Sequence, residues 1–332
     1  MKSIVLDRFG GPDVLALRDG PALVPAAGQA LVRVAAAGVN FADTLMRRDA
    51  YVVTPPLPIV LGSEAAGVVT AVGDGVDAGW VGRRVAAPLF ASGVHFGGYA
   101  EALVIDARFL VALPDAIDDA TAVALQAQGL SARHLVIQAD PRGKSVLVTA
   151  AAGGVGSLLI QLARLAGAAT VVAAASSAAK LDLARSLGAD AVVDYSKPGW
   201  DDAVLAATGG TGPDVVYDSV GGDVTKRCLE ILAPCGRALL YGALNPAEFT
   251  LSGTDLVRMV FKNQWLGGFA LVPLLDPEAV RTGLAALFDA VARGDLTVLA
   301  GGTFPFSRAG EAHAALESRR TVGKVVLVPD AG

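Results

Sequence analysis

Hydrophobic positions change rhythm along this chain. From Met1 to about Asp118, short β-branched runs such as Ala30 to Ala35, Ala65 to Val72 and Ala100 to Ile105 alternate with Gly and Pro, which predicts a strand-rich region. From about Asp119 to Gly242, apolar runs alternate with helical spacing instead, the texture of a parallel βαβ sheet. Val146 to Ala150 is all apolar and predicts a strand. Val155, Leu158, Leu159, Leu162 and Leu165 then fall on one helical face, which Gly167 ends. Further strands are expected at Thr170 to Ala175, Ala191 to Asp194, Asp214 to Asp218 and Arg237 to Tyr241, and helices at Ala178 to Leu187 and Val224 to Leu232. Past Gly242 the regularity fades, until Pro277 to Arg293 reads as one long helix and Lys324 to Pro329 as a last strand. The fold class is therefore α/β, with a doubly wound parallel sheet.

Length agrees with two domains, since 332 residues is about twice a usual domain of roughly 150. The net charge of −5 excludes the strongly basic surface that holds nucleic acid or anionic lipid, and small neutral ligands fit better. Cys228 and Cys235 lie in one short segment, at neither zinc-ribbon nor disulfide spacing, and are read as core thiols. His95, His134 and His313 are scattered, each without a histidine or acid at ligand spacing, so no metal site is expected. Met1 to Gly10 carries Lys2, Asp7 and Arg8 in place of a secretion signal, which points to the cytoplasm. Ser145 to Ala163 has no charge, yet Gly153, Gly154 and Gly156 interrupt it, and no membrane span is expected.

The most informative segment is Ala150-Ala151-Ala152-Gly153-Gly154-Val155-Gly156, which follows a predicted strand and opens a predicted helix. There glycine lets backbone approach a pyrophosphate, and free N–H groups at the helix start attract its charge. Ala151 stands where the first glycine of the usual fingerprint would be, so the pattern alone is a weak one. After the next strand no acid is present to hold the ribose hydroxyl of NAD. The chain instead offers Ser176, Ser177 and Lys180, with Tyr195 at the same edge, a set suited to the 2′-phosphate of NADPH.

Several motifs in one order make the chain resemble the zinc-free quinone oxidoreductases, the zeta-crystallin-like branch of the medium-chain dehydrogenase/reductase superfamily. They are Gly38-Val39-Asn40-Phe41-Ala42-Asp43 with Tyr51, Leu61 to Gly67, Gly97-Gly98-Tyr99-Ala100-Glu101, the glycine loop, Val216 to Gly221, and Glu317-Ser318-Arg319. The resemblance implies a chaperonin-10-like β-barrel catalytic domain formed by both chain ends, 1–118 and 265–332, around a Rossmann NADP-binding domain over 119–264. It also implies a cleft between them and a homodimer formed through edge pairing of the Rossmann sheets, near Asn263 to Phe269. Where zinc-dependent relatives place Cys and His ligands, this chain has Asn40 and Ser63.

From the resemblance, hydride passes from NADPH to a small-molecule acceptor, a quinone or an α,β-unsaturated carbonyl. Asn40, Asp43 and Tyr51 are expected beside the nicotinamide, with Tyr51 as hydrogen-bond or proton donor; from the residues alone, Asn40 and Asp43 read as a helix cap and a first-turn acid. Ala152, Gly153, Gly154 and Val155 are expected at the pyrophosphate; Ser131, Ser219, Tyr241 and Ala243 at the nicotinamide side; Arg319 and Lys324 near the cofactor or its phosphates. Glu64, an acid between glycines in an apolar region, is expected to be buried and partnered. Leu45 and Gly267 replace a tyrosine and an arginine of several family members, which tilts the acceptor toward an activated alkene. The alternatives are an enoyl-thioester reductase and a non-catalytic NADPH-binding sensor or structural protein.

Overall fold

The computed structural model describes residues 1–242 and 249–331. They form two compact units, one of Met1–Leu130, Val272–Gly294 and Val298–Gly332, the other of Ser131–Leu271 and Asp295–Thr297.

The second unit is a six-stranded parallel sheet. Its strands lie in the spatial order Ala191–Asp194, Thr170–Ala175, Ser145–Val148, Val215–Asp218, Arg237–Leu240 and Trp265–Gly268. The order reverses between Ser145–Val148 and Val215–Asp218, and that switch point is where open α/β sheets bind ligands, beyond the carboxyl ends of the strands. The central strands are buried on both faces, which is why they read as unbroken apolar runs. Leu147, Val172, Val216, Leu229 and Leu232 pack with Trp200 and Val204 into its core. Trp200 and Val204 sit on a helix, Trp200–Ala207, that the periodicity did not reveal, because Asp201 and Asp202 follow the lone Trp in its first turn. Trp265–Gly268 pairs with Arg237–Leu240, so the chain stays in this unit to Leu271 rather than leaving it after residue 264.

The first unit is strand-rich and uses both ends of the chain. The C-terminal strand Lys324–Val328 pairs antiparallel with Gln29–Val39, placing Val325 opposite Val39. Gln29–Val39 also pairs with Ala65–Val72. The long helix Pro277–Ala292 returns to this unit, where Gly283 fits against Leu130. The unit extends to Leu130, past the expected edge near Asp118, because the helix Asp119–Ala124 and the π-helical turn Leu125–Gly129 are tied to its strands. Gln126 Nε2 donates to Ala65 O at 2.9 Å, and the Ala127 N–H donates to Glu64 Oε2 at 2.8 Å.

Cys228 is a buried thiol, whereas Cys235 is exposed at a positive-φ turn and is not part of the core. Among the described residues, no helix is long and apolar enough to cross a membrane.

Candidate active site

In the second unit the glycine loop follows Ser145–Val148 and leads into the helix Gly154–Leu165. Gly153 is its N-cap, and no side chain caps it. Among the described residues, the first-turn N–H groups of Gly154 and Val155 thus meet no side-chain acceptor, the donor set an anion needs. A Cβ on Gly156 would stand 2.5 Å from Ala150 O and 2.9 Å from Ala151 Cα, so only hydrogen fits there. The left-handed residue of the turn is Ala150, with φ 46°, not Ala151, which explains why the first fingerprint glycine is dispensable. Ala152, within the loop, is buried.

Asp218, fully buried at the end of its strand, holds this region together. Its carboxylate accepts the hydroxyls of Thr149 and Thr225 and the Val220 N–H at 3.1 Å. Thr149 directly precedes the loop, and its Oγ1 accepts the Ser219 N–H at 3.3 Å. Asp218 escaped the sequence reading although its motif was noticed, because an acid in a strand gives no sign of which hydroxyls it will meet.

At the adjacent strand end, Ser176 and Ser177 are exposed, and Ser177 is the N-cap of the helix Ala178–Ser186 without a side-chain bond to it. Lys180 stands in the first turn of that helix, which holds no acid. The Tyr195 N–H donates to Ala175 O at 3.1 Å, which brings the tyrosine to the same edge. Tyr241 interacts with the Ser219 hydroxyl and is pushed well up from its ordinary value of 10.0, first by burial. Ser131 is half-buried near the start of Leu130–Gln138. Ala243 lies outside the described residues.

The first unit contains a polar cluster at the start of the helix Phe41–Arg47. Asn40 is the N-cap, and its N–H donates to Asp43 Oδ2 at 2.8 Å, so both are the cap and first-turn acid that their order permits. The Asn40 side chain is engaged elsewhere. Its Nδ2 donates to Glu64 Oε1 at 2.8 Å, and its Oδ1 accepts from Lys324 Nζ at 2.7 Å. Lys324 also pairs with Glu64, both side chains being almost completely buried. Lys324 is therefore not a phosphate-facing cation: Glu64 and Asn40 take its ammonium inside the first unit. Glu64 is the buried, partnered acid expected.

Asp43 is 0% exposed. Tyr99 Oη donates to its Oδ2 at 3.1 Å and lies 3.1 Å from His313 Nε2, so with neutral His313 the network runs His313 to Tyr99 to Asp43. Burial raises Asp43 from 3.8 to about 7, although the Asn40 N–H and Lys324 oppose the shift. Burial likewise lowers His313 from 6.5 to about 3, helped by Arg47. Enclosure excludes Asp43 from direct contact with a ligand and corrects its expected place beside the nicotinamide. At the third helical position its side chain points back toward the cap and inward. Arg47 Nη2 donates to Glu317 Oε1 at 2.7 Å, whereas Arg319 is exposed at φ 55°. Tyr51 is 41% exposed, in a loop with Val52 and Val53. Sequence reasoning missed His313, having weighed it only as a metal ligand. Among the described residues no group of three or more His, Cys, Asp or Glu side chains is gathered for a metal ion.

An uncapped glycine loop at a sheet switch point defines a dinucleotide-binding unit, carried in one chain with a strand-rich unit built from both chain ends. The sequence profile of the alcohol dehydrogenase GroES-like domain matches residues 26–115, and that of the zinc-binding dehydrogenases matches 154–288. The chain is 37% identical to a quinone oxidoreductase of Pseudomonas aeruginosa, over 99% of each chain. It is 35% identical to a 2-haloacrylate reductase of a Burkholderia species, over 98% of each. It superposes with a TM-score of 0.90 on the Escherichia coli quinone oxidoreductase complexed with NADPH, at 31% identity over 99% of this chain and 100% of that one. The chain belongs to the quinone oxidoreductase branch of the medium-chain dehydrogenase/reductase superfamily.

Proposed function

We propose that the protein is an NADPH-dependent reductase of a quinone or an α,β-unsaturated carbonyl. The observation that carries this reading is the state of Asn40. Its carboxamide oxygen accepts an internal ammonium and its Nδ2 donates to Glu64, so this position gives a hydrogen-bond donor where zinc-dependent relatives have a metal ligand. A donor suits an acceptor oxygen that gains negative charge.

The glycine loop and the two serines fit the cofactor's charges. The N–H groups of Gly154 and Val155 would hold the pyrophosphate, with Ala152 and Gly153 forming the loop that it approaches; Ser176 and Lys180 would take the 2′-phosphate, flanked by Tyr195. Ser131, Ser219 and Tyr241 would line the nicotinamide side, and Arg319 would be a cofactor-binding residue by its place in the C-terminal motif. When bound, NADPH supplies a hydride. Asn40 steadies the charge that develops on the acceptor oxygen, and Tyr51, whose hydroxyl is accessible, donates a hydrogen bond or proton. Asp43 holds the Asn40 backbone and so acts as a positioning residue.

A homodimer is the assembly that the second unit supports best. Trp265–Gly268 is an edge strand of the sheet, and the preceding helix Gly253–Phe261 exposes Leu256, Val257, Val260 and Phe261. Phe261→Arg should produce monomers in sedimentation; a protein monomeric before the change refutes the dimer. Two free thiols suit a reducing compartment, and we place the enzyme in the cytoplasm.

The decisive experiment is a steady-state screen of NADPH oxidation with 1,4-naphthoquinone, 9,10-phenanthrenequinone, acrolein, an enone and crotonyl-CoA. Turnover of quinone, enal or enone is expected. Turnover of crotonyl-CoA alone would replace this reading by thioester reduction, and tight NADPH binding without any oxidation would replace it by a sensor.

A further inference from the structure

We propose that Lys324 and Glu64 act on the reaction through Asn40, locking its carboxamide so that the acceptor meets an amide N–H and never the amide oxygen. The inference rests on the reading of Asn40 as the group that faces the acceptor.

Both ends of the carboxamide are fixed by groups of opposite charge. Lys324 Nζ donates to Oδ1 at 2.7 Å, and Glu64 Oε1 accepts from Nδ2 at 2.8 Å. A flip would turn the amide oxygen toward a carboxylate and the amide hydrogens toward an ammonium, in a place where water does not screen either contact. Nδ2 carries two hydrogens, and Glu64 Oε1 engages one. Glu64 Oε2 is already bonded by the Ala127 N–H. The second Nδ2 hydrogen remains, on a residue that is only half-buried. The ammonium on Oδ1 also draws electron density from the amide, which makes that hydrogen a stronger donor. The oxygen it fits is a carbonyl that becomes an enolate or a hydroquinone anion.

Gly38 gives a second, independent observation. A Cβ there would collide with Glu64 Oε1 and stand 2.7 Å from Lys324 Cε. Gly38 is not among the residues with positive φ, so backbone freedom does not explain it. The space it leaves is occupied by the ion pair. A buried ion pair is weak as a stabilising device, because desolvation offsets most of its attraction. Orienting a neighbour is the task for which its geometry is suited.

A double-mutant cycle tests the lock. Lys324→Met should lower kcat by about tenfold or more, short of or near the ~10²–10³ lost with an oxyanion donor itself, while the NADPH Kd moves less than about twofold. In an Asn40→Ala background, Lys324→Met should lower kcat no further, since its target is gone. Lys324→Arg, which keeps a cation, should recover part of kcat. If the Lys324 and Asn40 effects multiply, or if Lys324→Met lowers thermal stability but leaves kcat intact, the lock is refuted and the reading of Asn40 stands. If Asn40→Ala alone keeps full kcat, that reading falls and the lock with it. Should Lys324→Met not fold, Gly38→Ala, which crowds the pair without removing its charge, carries the same cycle. It should be slow alone and neutral in Asn40→Ala; multiplicative loss refutes the lock.

Discussion

The two units prepare their functional residues by opposite means. In the second unit the candidate site is built from backbone: first-turn N–H groups, a glycine where a methyl cannot fit, and hydroxyls at a strand end. In the first unit the candidate residues are held by buried side chains that meet across the sequence, Lys324 with Asn40 and Glu64, and His313 with Tyr99. Backbone sites tolerate exchange of side chains but not of space. Side-chain networks tolerate neither, because each removal leaves a buried partner unsatisfied.

The largest expected effect tests the space requirement. Gly156→Val adds a branched side chain where even a Cβ meets Ala150 O at 2.5 Å. The loop must move, and NADPH binding should weaken by about a hundredfold or more, a loss of about 2.7 kcal/mol. A fluorescence titration with unchanged Kd would remove the glycine loop from cofactor recognition.

The same contrast explains what was legible in the sequence. The parallel sheet was nearly fully readable, because strands buried on both faces become apolar runs and helices such as Gly154–Leu165 and Ala178–Ser186 stop at Gly167 and Gly188. Asn40 was visible as a helix cap and Glu64 as an anomaly, an acid between glycines in an apolar region. Their partner was not. Lys324 lies 284 residues from Asn40, and nothing local distinguishes a lysine that begins a buried strand from one that ends in solvent. His313 was discounted for want of a nearby ligand, while its partner Tyr99 stood 214 residues away. The helices Gly253–Phe261 and Ala309–Glu317 also went unseen, the first because its apolar residues face outward.

The network of the first unit should leave a signature in pH dependence. Asp43 is raised from 3.8 to about 7, so its contribution to stability is present below pH 3.8 and lost as pH rises to about 7. His313 is lowered from 6.5 to about 3, so its contribution is present above pH 6.5 and lost as pH falls toward 3. Between about pH 4 and 6.5 these slopes oppose each other, each at most about 1.4 kcal/mol per pH unit. Asp43→Asn should therefore make stability rise with pH from about 3 to 6.5, and His313→Asn should make it fall from about 4 to 7. Urea midpoints at three pH values in that window decide the matter. Two variants with the parent's profile would mean that the groups titrate as exposed ones do.

A smaller effect concerns cofactor choice in the second unit. Lys180→Ala should weaken NADPH about tenfold while NADH changes little, since only NADPH brings a 2′-phosphate to a cation there. Equal losses for both cofactors, measured by the same titration, would assign Lys180 to the helix and not to the phosphate.

The smallest effect is the sharpest test of backbone recognition, because two adjacent alanines should answer in opposite directions. Ala150 has φ 46°, where an L-residue is strained by roughly 1–2 kcal/mol, so Ala150→Gly relieves strain and adds unfolded-chain entropy of about 0.5–1 kcal/mol. A net gain in stability of up to about 1 kcal/mol is expected. Ala151 is fully buried and has no positive φ. Ala151→Gly restores the usual fingerprint yet removes a buried methyl, and stability should fall by about 1 kcal/mol. Neither change should alter the NADPH Kd, since neither touches the N–H groups of Gly154 and Val155. A tighter Kd in Ala151→Gly would mean that the first fingerprint position acts on the ligand and not only on the turn.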